Sequence, residues 1–115
     1  MSSADCLFCK FVSRDVEPDV VAETEHSLAF RDINPQAPTH VLVVPKRHVA
    51  NAGELAGASA DELADVVLLA RSVAESEGLG GDYRLVLNTG AGAGQSVFHA
   101  HLHLLGGRAM QWPPG

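Results

Sequence analysis

The stretch His99-Ala100-His101-Leu102-His103-Leu104-Leu105 alternates imidazole and apolar side chains through three repeats. In a β-strand successive side chains point to opposite faces, so His99, His101 and His103 share one face and Ala100, Leu102 and Leu104 the other. The apolar face reads as the core side. Neighbouring histidines on the polar face lie about 6.6 Å apart along the backbone, close enough for two rings to meet one ligand. In a helix the same residues would be splayed at about 100° per residue and could not act together. The spacing predicts a strand.

Around that strand, the chain of 115 residues has the length of one domain, residues 1–115, with enough apolar content (46%) to build a core. The formal net charge of −6 carries no basic run, which argues against a nucleic-acid surface. The first residues show neither a basic segment nor an apolar one, so no secretory leader is expected, and no apolar run is long enough to cross a bilayer. Two cysteines, Cys6 and Cys9, do not make a disulfide framework, and a cytoplasmic location is expected.

Residues 6–14 read as a short helix. Val20–Glu23, Ser27–Arg31, His40–Val44 and Tyr83–Asn88 read as strands, and the doubly apolar His40–Val44 run predicts burial on both faces. The long helix is Ala60–Glu77: Ser59 and Glu62 form a capping box, and Leu63, Val66, Val67, Ala70, Val73 and Ala74 repeat with helical period. Gly78 suits its C-terminus. Leu68 and Leu69 broaden the apolar face toward a second contact, such as another subunit. These elements predict an α+β domain built on an antiparallel sheet, with one long and one short helix.

Before the histidines comes Thr89-Gly90-Ala91-Gly92-Ala93-Gly94-Gln95-Ser96. Glycines let backbone N–H groups approach a phosphate closely, although hairpin loops collect glycine too. No Gly-Lys-Ser/Thr follows, so the loop is not a Walker A motif. Cys6-Leu7-Phe8-Cys9 leaves three readings open: zinc ligands, a redox pair without a thioredoxin-like setting, or reduced thiols. Lys46 and Arg47 read as solvated surface, and His26 as an ordinary surface histidine.

Together these motifs resemble the histidine triad (HIT) family, whose signature is His-φ-His-φ-His-φ-φ. The resemblance extends through Leu28-Ala29-Phe30-Arg31-Asp32-Ile33-Asn34-Pro35-Gln36-Ala37-Pro38-Thr39-His40, Val43-Val44-Pro45-Lys46-Arg47-His48 and Gly94-Gln95-Ser96-Val97-Phe98-His99. The tail from Leu105 to Trp112-Pro113-Pro114-Gly115 is similar to that of the Hint branch, the purine nucleoside phosphoramidases. The resemblance implies a homodimer with a five-stranded antiparallel sheet in each subunit. It also implies hydrolysis of the P–N bond of nucleoside 5′-phosphoramidates, such as adenosine 5′-monophosphoramidate, through a nucleotidyl-histidine on His101. It gives Asp32 the ribose hydroxyls and Ile33 the base pocket. Asn88, Gly94, Gln95 and Ser96 take sugar and phosphate, and His103 the phosphate oxygens. His40 is the additional active-site histidine, Ser96 or His103 relays the proton to the leaving amine, and Trp112 approaches the partner's site. No metal is required for that chemistry.

Some HIT proteins complete a zinc site from the histidine after the Pro-Lys motif and the first triad histidine. The resemblance thus implies Zn2+ on Cys6, Cys9, His48 and His99, in a structural role. Eukaryotic Hint proteins lack the cysteine pair, so this chain joins a Hint-like tail to a zinc-type N-terminus. Two other functions compete: dinucleoside polyphosphate hydrolysis, as in the Fhit-like branch, and a nucleotide-binding regulatory module whose turnover is incidental. A zinc-handling protein is a further class. Neither nucleic acid nor membrane is expected as a partner.

Overall fold

In the computed structural model, which describes residues 5–115, the chain folds as an α+β domain around one antiparallel sheet. The leader reading over residues 1–4 lies outside the described residues. The strands are β1 (Val20–Glu23), β2 (Ser27–Arg31), β3 (Thr39–Pro45), β4 (Tyr83–Val86) and β5 (Leu102–Gly106). They lie side by side in the order β1-β2-β3-β5-β4, each pair antiparallel. β3 is central and every residue of it is buried, as its doubly apolar run predicts. Three α-helices accompany the sheet: α1 (Leu7–Ser13), α2 (Ala52–Ala58) and α3 (Ala60–Ser76). No helix among the described residues is long and apolar enough to cross a membrane.

The alternation of side chains along the strands divides the core in two. Ala29, Val41, Val43, Leu102 and Leu104 face α3, meeting Val66, Leu69, Ala70, Val73 and Ala74. Each fully buried valine or leucine there contributes about 1.5–3 kcal/mol relative to exposure. Leu28, Phe30, Leu42 and Val44 face the other way and meet Cys6 and Phe8, at the start of α1. Leu42 stands opposite His103 across the β3–β5 ladder, so His103 opens onto this second, α1-covered side.

α3 is further fixed by a polar bond that sequence reading missed. The hydroxyls of Thr24 and Ser27 both donate to Asp65 Oδ2, each at 2.6 Å, and tie the helix to the β1–β2 hairpin. At the N-terminus of α3, Ser59 Oγ accepts from the Glu62 N–H, one half of the expected capping box. The other half is not formed, since the Ser59 N–H donates to the Leu55 carbonyl and the Glu62 carboxylate pairs with Arg47.

β4 ends at Val86, two residues short of the expected Asn88, and three further expectations change. α2 is an additional helix, making two short ones rather than one. Its start, Asn51, accepts from the Glu54 N–H while Glu54 accepts from the Ala50 N–H, a reciprocal cap hidden by two glycines in a weakly apolar segment. Leu69 is buried in the α3 core, and it is Val67 and Leu68 that remain exposed. Most consequentially, β5 starts at Leu102, so His99 and His101 precede the ladder rather than sit in it. The reason lies in where residues 99–101 bond: His99 to the Pro45 carbonyl, the Ala100 N–H to the Val49 carbonyl, and His101 back to the His99 carbonyl. These bonds engage the last residue of β3, the chain after it and the segment itself, and the regular pairing stops.

Candidate functional site

Although His99 and His101 leave the ladder, all three rings stay on the α1 side, in two different jobs. The His101 and His103 ring centroids are 5.1 Å apart, nearer than the backbone spacing of a strand, and both line a cavity of about 370 Å3. Its walls include Leu7, Phe8 and Phe11 from α1, Phe30 and Leu42 from the sheet, and Asp32, Ile33, Ser96 and Val97. Leu7, Phe8 and Phe11 were not singled out in the sequence. Their signal was available, an aromatic pair at i, i+3 on a short helix beside the cysteines.

Hydrogen bonds set the proton on each ring, because main-chain groups have fixed roles. His101 Nδ1 lies 2.8 Å from its neighbour's carbonyl, that of His99. A carbonyl only accepts, so Nδ1 carries a proton, and in the neutral ring Nε2, on the opposite edge, keeps its lone pair. The Gln36 N–H donates to His40 Nδ1 at 3.0 Å. That places the His40 proton on Nε2, which donates to His103 Nδ1 at 2.9 Å. His103 must then carry its proton on Nε2. Burial lowers the pKa of His40, and pushes that of His103 down to about 4 with help from the neighbouring His101 and His40. His103 is therefore a neutral N–H donor beside a ring with a free lone pair. Asp32, His40 and His103 have the composition of a metal site. The Gln36 bond argues against it, since it puts a proton on the His40 nitrogen that faces the other two.

Asp32 Oδ1 accepts from the Asn34 N–H at 2.8 Å, and Oδ2 lies 3.5 Å from His40 Nε2. Ile33 is almost fully exposed at the rim. In the glycine-rich loop, residues 91–93 form a 3-10 turn, and the N–H groups of Ala93, Gly94 and Gln95 bond within it. Gly94 has φ +98°, a left-handed conformation suited to glycine, and its α-carbon faces the Asn88 side chain. Gln95 is buried, accepts from the Gly90 N–H and donates to the carbonyls of Ala50 and Val97. The Gln95 amide thus pins the loop. Ser96 reaches the cavity, while Asn88, Gly94, Gln95, His40 and Trp112 are not among its lining residues. Trp112 is 81% exposed, and the tail is held near β4 by a bond from the Arg84 guanidinium to the Gln111 carbonyl.

The ring of His99 belongs to the second cluster, with Cys6, Cys9 and His48. Its Nε2–H donates to the Pro45 carbonyl at 2.7 Å, leaving the Nδ1 lone pair aimed at the cysteines. His99 Nδ1 is 3.4 Å from Cys6 Sγ, 3.5 Å from Cys9 Sγ and 3.1 Å from His48 Nδ1, which is 3.1 Å from Cys9 Sγ. Tetrahedral zinc with Zn–N of about 2.0 Å and Zn–S of about 2.3 Å needs edges of about 3.3–3.8 Å. These four edges fit that ion to within a few tenths of an ångström, and all four donor atoms lie within 4.8 Å of one another. Burial, and then Cys6, push the Cys9 thiol up to about 11, so a cation is what would make two thiolates stable here. Lys46 and Arg47 point elsewhere, paired with Glu23 and Glu62 at the surface.

Comparison with known proteins agrees with this geometry. The HIT domain family model matches residues 13–110. The chain is 45% identical over 120 residues to the 14 kDa zinc-binding protein of Zea mays, covering 100% of this chain and 91% of that one. It superposes on a HIT family hydrolase from Legionella pneumophila Philadelphia 1 with a TM-score of 0.92 at 49% identity, over 96% of this chain and 100% of that one. The histidine triad nucleotide-binding protein from Candida albicans gives 0.82 at 29% identity, over 95% and 83%. With the fold, the paired imidazoles and the matched length in agreement, the chain belongs to the HIT domain family.

Proposed function

We propose that this protein is a nucleotide hydrolase that cleaves the P–N bond of purine nucleoside 5′-phosphoramidates through a covalent nucleotidyl-histidine on His101. The observation that carries this reading is the pair of opposite tautomers: His101 offers a bare Nε2, and His103 beside it offers an N–H. In the first step His101 Nε2 attacks the α-phosphorus, the P–N bond breaks, and the amine leaves with a proton relayed by Ser96 or His103. In the second, water cleaves the P–Nε2 bond, giving the nucleoside monophosphate and restoring the ring. Splitting one displacement into two lowers each barrier. The His103 N–H, with Ser96 at the end of the loop, offsets charge on the phosphoryl oxygens.

The apolar part of the cavity, Leu7, Phe8, Phe11, Phe30 and Ile33, suits a purine, with Asp32 toward the ribose. Asn88, Gly94 and Ser96 approach sugar and phosphate, and Gln95 acts by holding their loop. The Legionella relative's name, hydrolase, and the Candida relative's, nucleotide-binding, support the coarser part of this reading, a hydrolase that takes a nucleotide. Zinc on Cys6, Cys9, His48 and His99 would be structural: with four protein ligands it has no open position for substrate. The zinc-binding name of the maize relative supports that assignment.

A homodimer is part of the proposal. β4 is an edge strand with Leu85 exposed, Val67 and Leu68 are exposed on α3, and Trp112 is exposed on the tail. Light scattering should give the mass of two chains; the mass of one at micromolar concentration refutes it. A cytoplasmic location and the absence of nucleic-acid or membrane partners remain part of this reading.

The reaction class is tested by competition. Adenosine 5′-phosphoramidate and a diadenosine polyphosphate, offered together, should be turned over with kcat/KM favouring the phosphoramidate. The reverse order assigns the polyphosphate chemistry instead, and turnover of neither favours a binding module.

A further inference from the structure

We infer that metal at the Cys6, Cys9, His48 and His99 cluster and nucleotide in the neighbouring cavity are coupled through α1, each raising the chain's affinity for the other. The inference rests on the nucleotide reading of the cavity. Its basis is that one short segment serves both places. Cys6 and Cys9 face the cluster, while Leu7, Phe8 and Phe11 line the cavity, so the two sets are interleaved within six residues.

Phe8 bridges the two sites directly. Its ring meets His99 edge-on at 6.0 Å and His101 at 5.1 Å, and it also packs on Phe30 at 5.5 Å. The main chain adds a second link. The residue whose ring faces the cysteines, His99, is the one whose carbonyl fixes the His101 tautomer.

α1 is poorly secured otherwise. Its seven residues are too few for an autonomous helix. Among the described residues, no backbone hydrogen bond joins it to the sheet. It is held by the packing of Cys6, Phe8, Cys9, Phe11 and Val12 against the sheet and by an ion pair from Arg14 to Glu23 at the surface, a contact of small worth. Docked and undocked α1 are thus two states that a metal discriminates, since only the docked helix brings both thiols to His48 and His99. A purine that needs Leu7, Phe8 and Phe11 as a wall selects the same docked state. Two ligands that favour one state must favour each other, by equal factors in both directions.

The test is a thermodynamic cycle on the intact chain, using Zn2+ as the metal and adenosine and guanosine 5′-monophosphates as probes. Calorimetric titration of the zinc-loaded and chelator-stripped protein should show nucleotide affinity weakened about tenfold on stripping. Transfer of Zn2+ to a chromophoric chelator, with saturating adenosine 5′-monophosphate, should be disfavoured by the same factor. Hydrogen exchange should show protection lost in α1 while β3 and β5 keep theirs. Equal nucleotide affinities in the two forms, and a Zn2+ affinity unmoved by saturating nucleotide, overturn the coupling alone. Global loss of protection on stripping also overturns it, because the responding element is then the fold and not α1. Failure of the zinc-loaded chain to bind either nucleotide overturns the nucleotide reading and the coupling with it.

Discussion

His101→Asn should lower kcat for phosphoramidate hydrolysis by about 10^4-fold or more, the scale seen when a covalent nucleophile is removed. Nucleotide affinity should change far less. The asparagine amide can still donate to the His99 carbonyl that receives the His101 Nδ1–H, so the local chain keeps its hydrogen bond. Phe8, Phe30, Leu42 and Asp32, which shape the rest of the cavity, are untouched. Steady-state kinetics and calorimetric titration with adenosine 5′-monophosphate check the two halves. Retained turnover in the variant removes His101 from the nucleophile's role. Lost turnover together with lost binding shows only that the cavity was disrupted.

The second large effect concerns His103. On the proposed mechanism it supplies an N–H to the phosphoryl oxygens, and deleting one such donor costs about 10^2–10^3 in kcat. His103→Ala should show that loss. His40→Ala should do less, about tenfold, because it removes one neutral hydrogen bond that holds the His103 proton on Nε2. His40→Gln should recover part of the loss, since its amide N–H can donate to His103 Nδ1. The order His101 over His103 over His40 follows from the direction of donation along Gln36, His40 and His103. An equal loss at His40 and His103, with no rescue by glutamine, would mean that His40 acts on substrate directly.

Much of this arrangement could be read from the residues before any coordinates. β1 and β2 have the expected bounds, and β3 extends the expected run by one residue at each end, because strand periodicity is strong where one or both faces are buried. α3 begins at Ala60 as its cap predicts and ends one residue short of Glu77. The misreadings share a cause. α2 is capped by Asn51 and Glu54 but buries only Leu55, so its apolar period is too faint to register. β5 begins late because the bonds of residues 99–101 run to Pro45 and Val49, contacts between segments about fifty residues apart that no local pattern encodes.

The histidines show the same division. Alternation placed His101 and His103 together, and the resemblance to HIT proteins pointed His99 toward the cysteines. Neither could give the tautomers, which depend on the Gln36 N–H and the His99 carbonyl. The resemblance gave Gln95 a contact with sugar or phosphate, and could not show that its side-chain amide is bonded to Gly90, Ala50 and Val97. The aromatic wall from α1 was missed because Phe8 and Phe11 read equally well as ordinary core residues of an amphipathic helix.

What everything here turns on is a ring nitrogen, bare and facing the cavity, that bonds to phosphorus during turnover. Mass spectrometry of protein quenched in acid-free denaturant while hydrolysing adenosine 5′-phosphoramidate reads that bond directly. A nucleotidyl group on the peptide spanning residues 99–103, located at His101 by fragmentation and absent from His101→Asn, is the result expected. Modification at another residue, or rapid turnover with inversion of configuration at phosphorus and no adduct, would contradict the account.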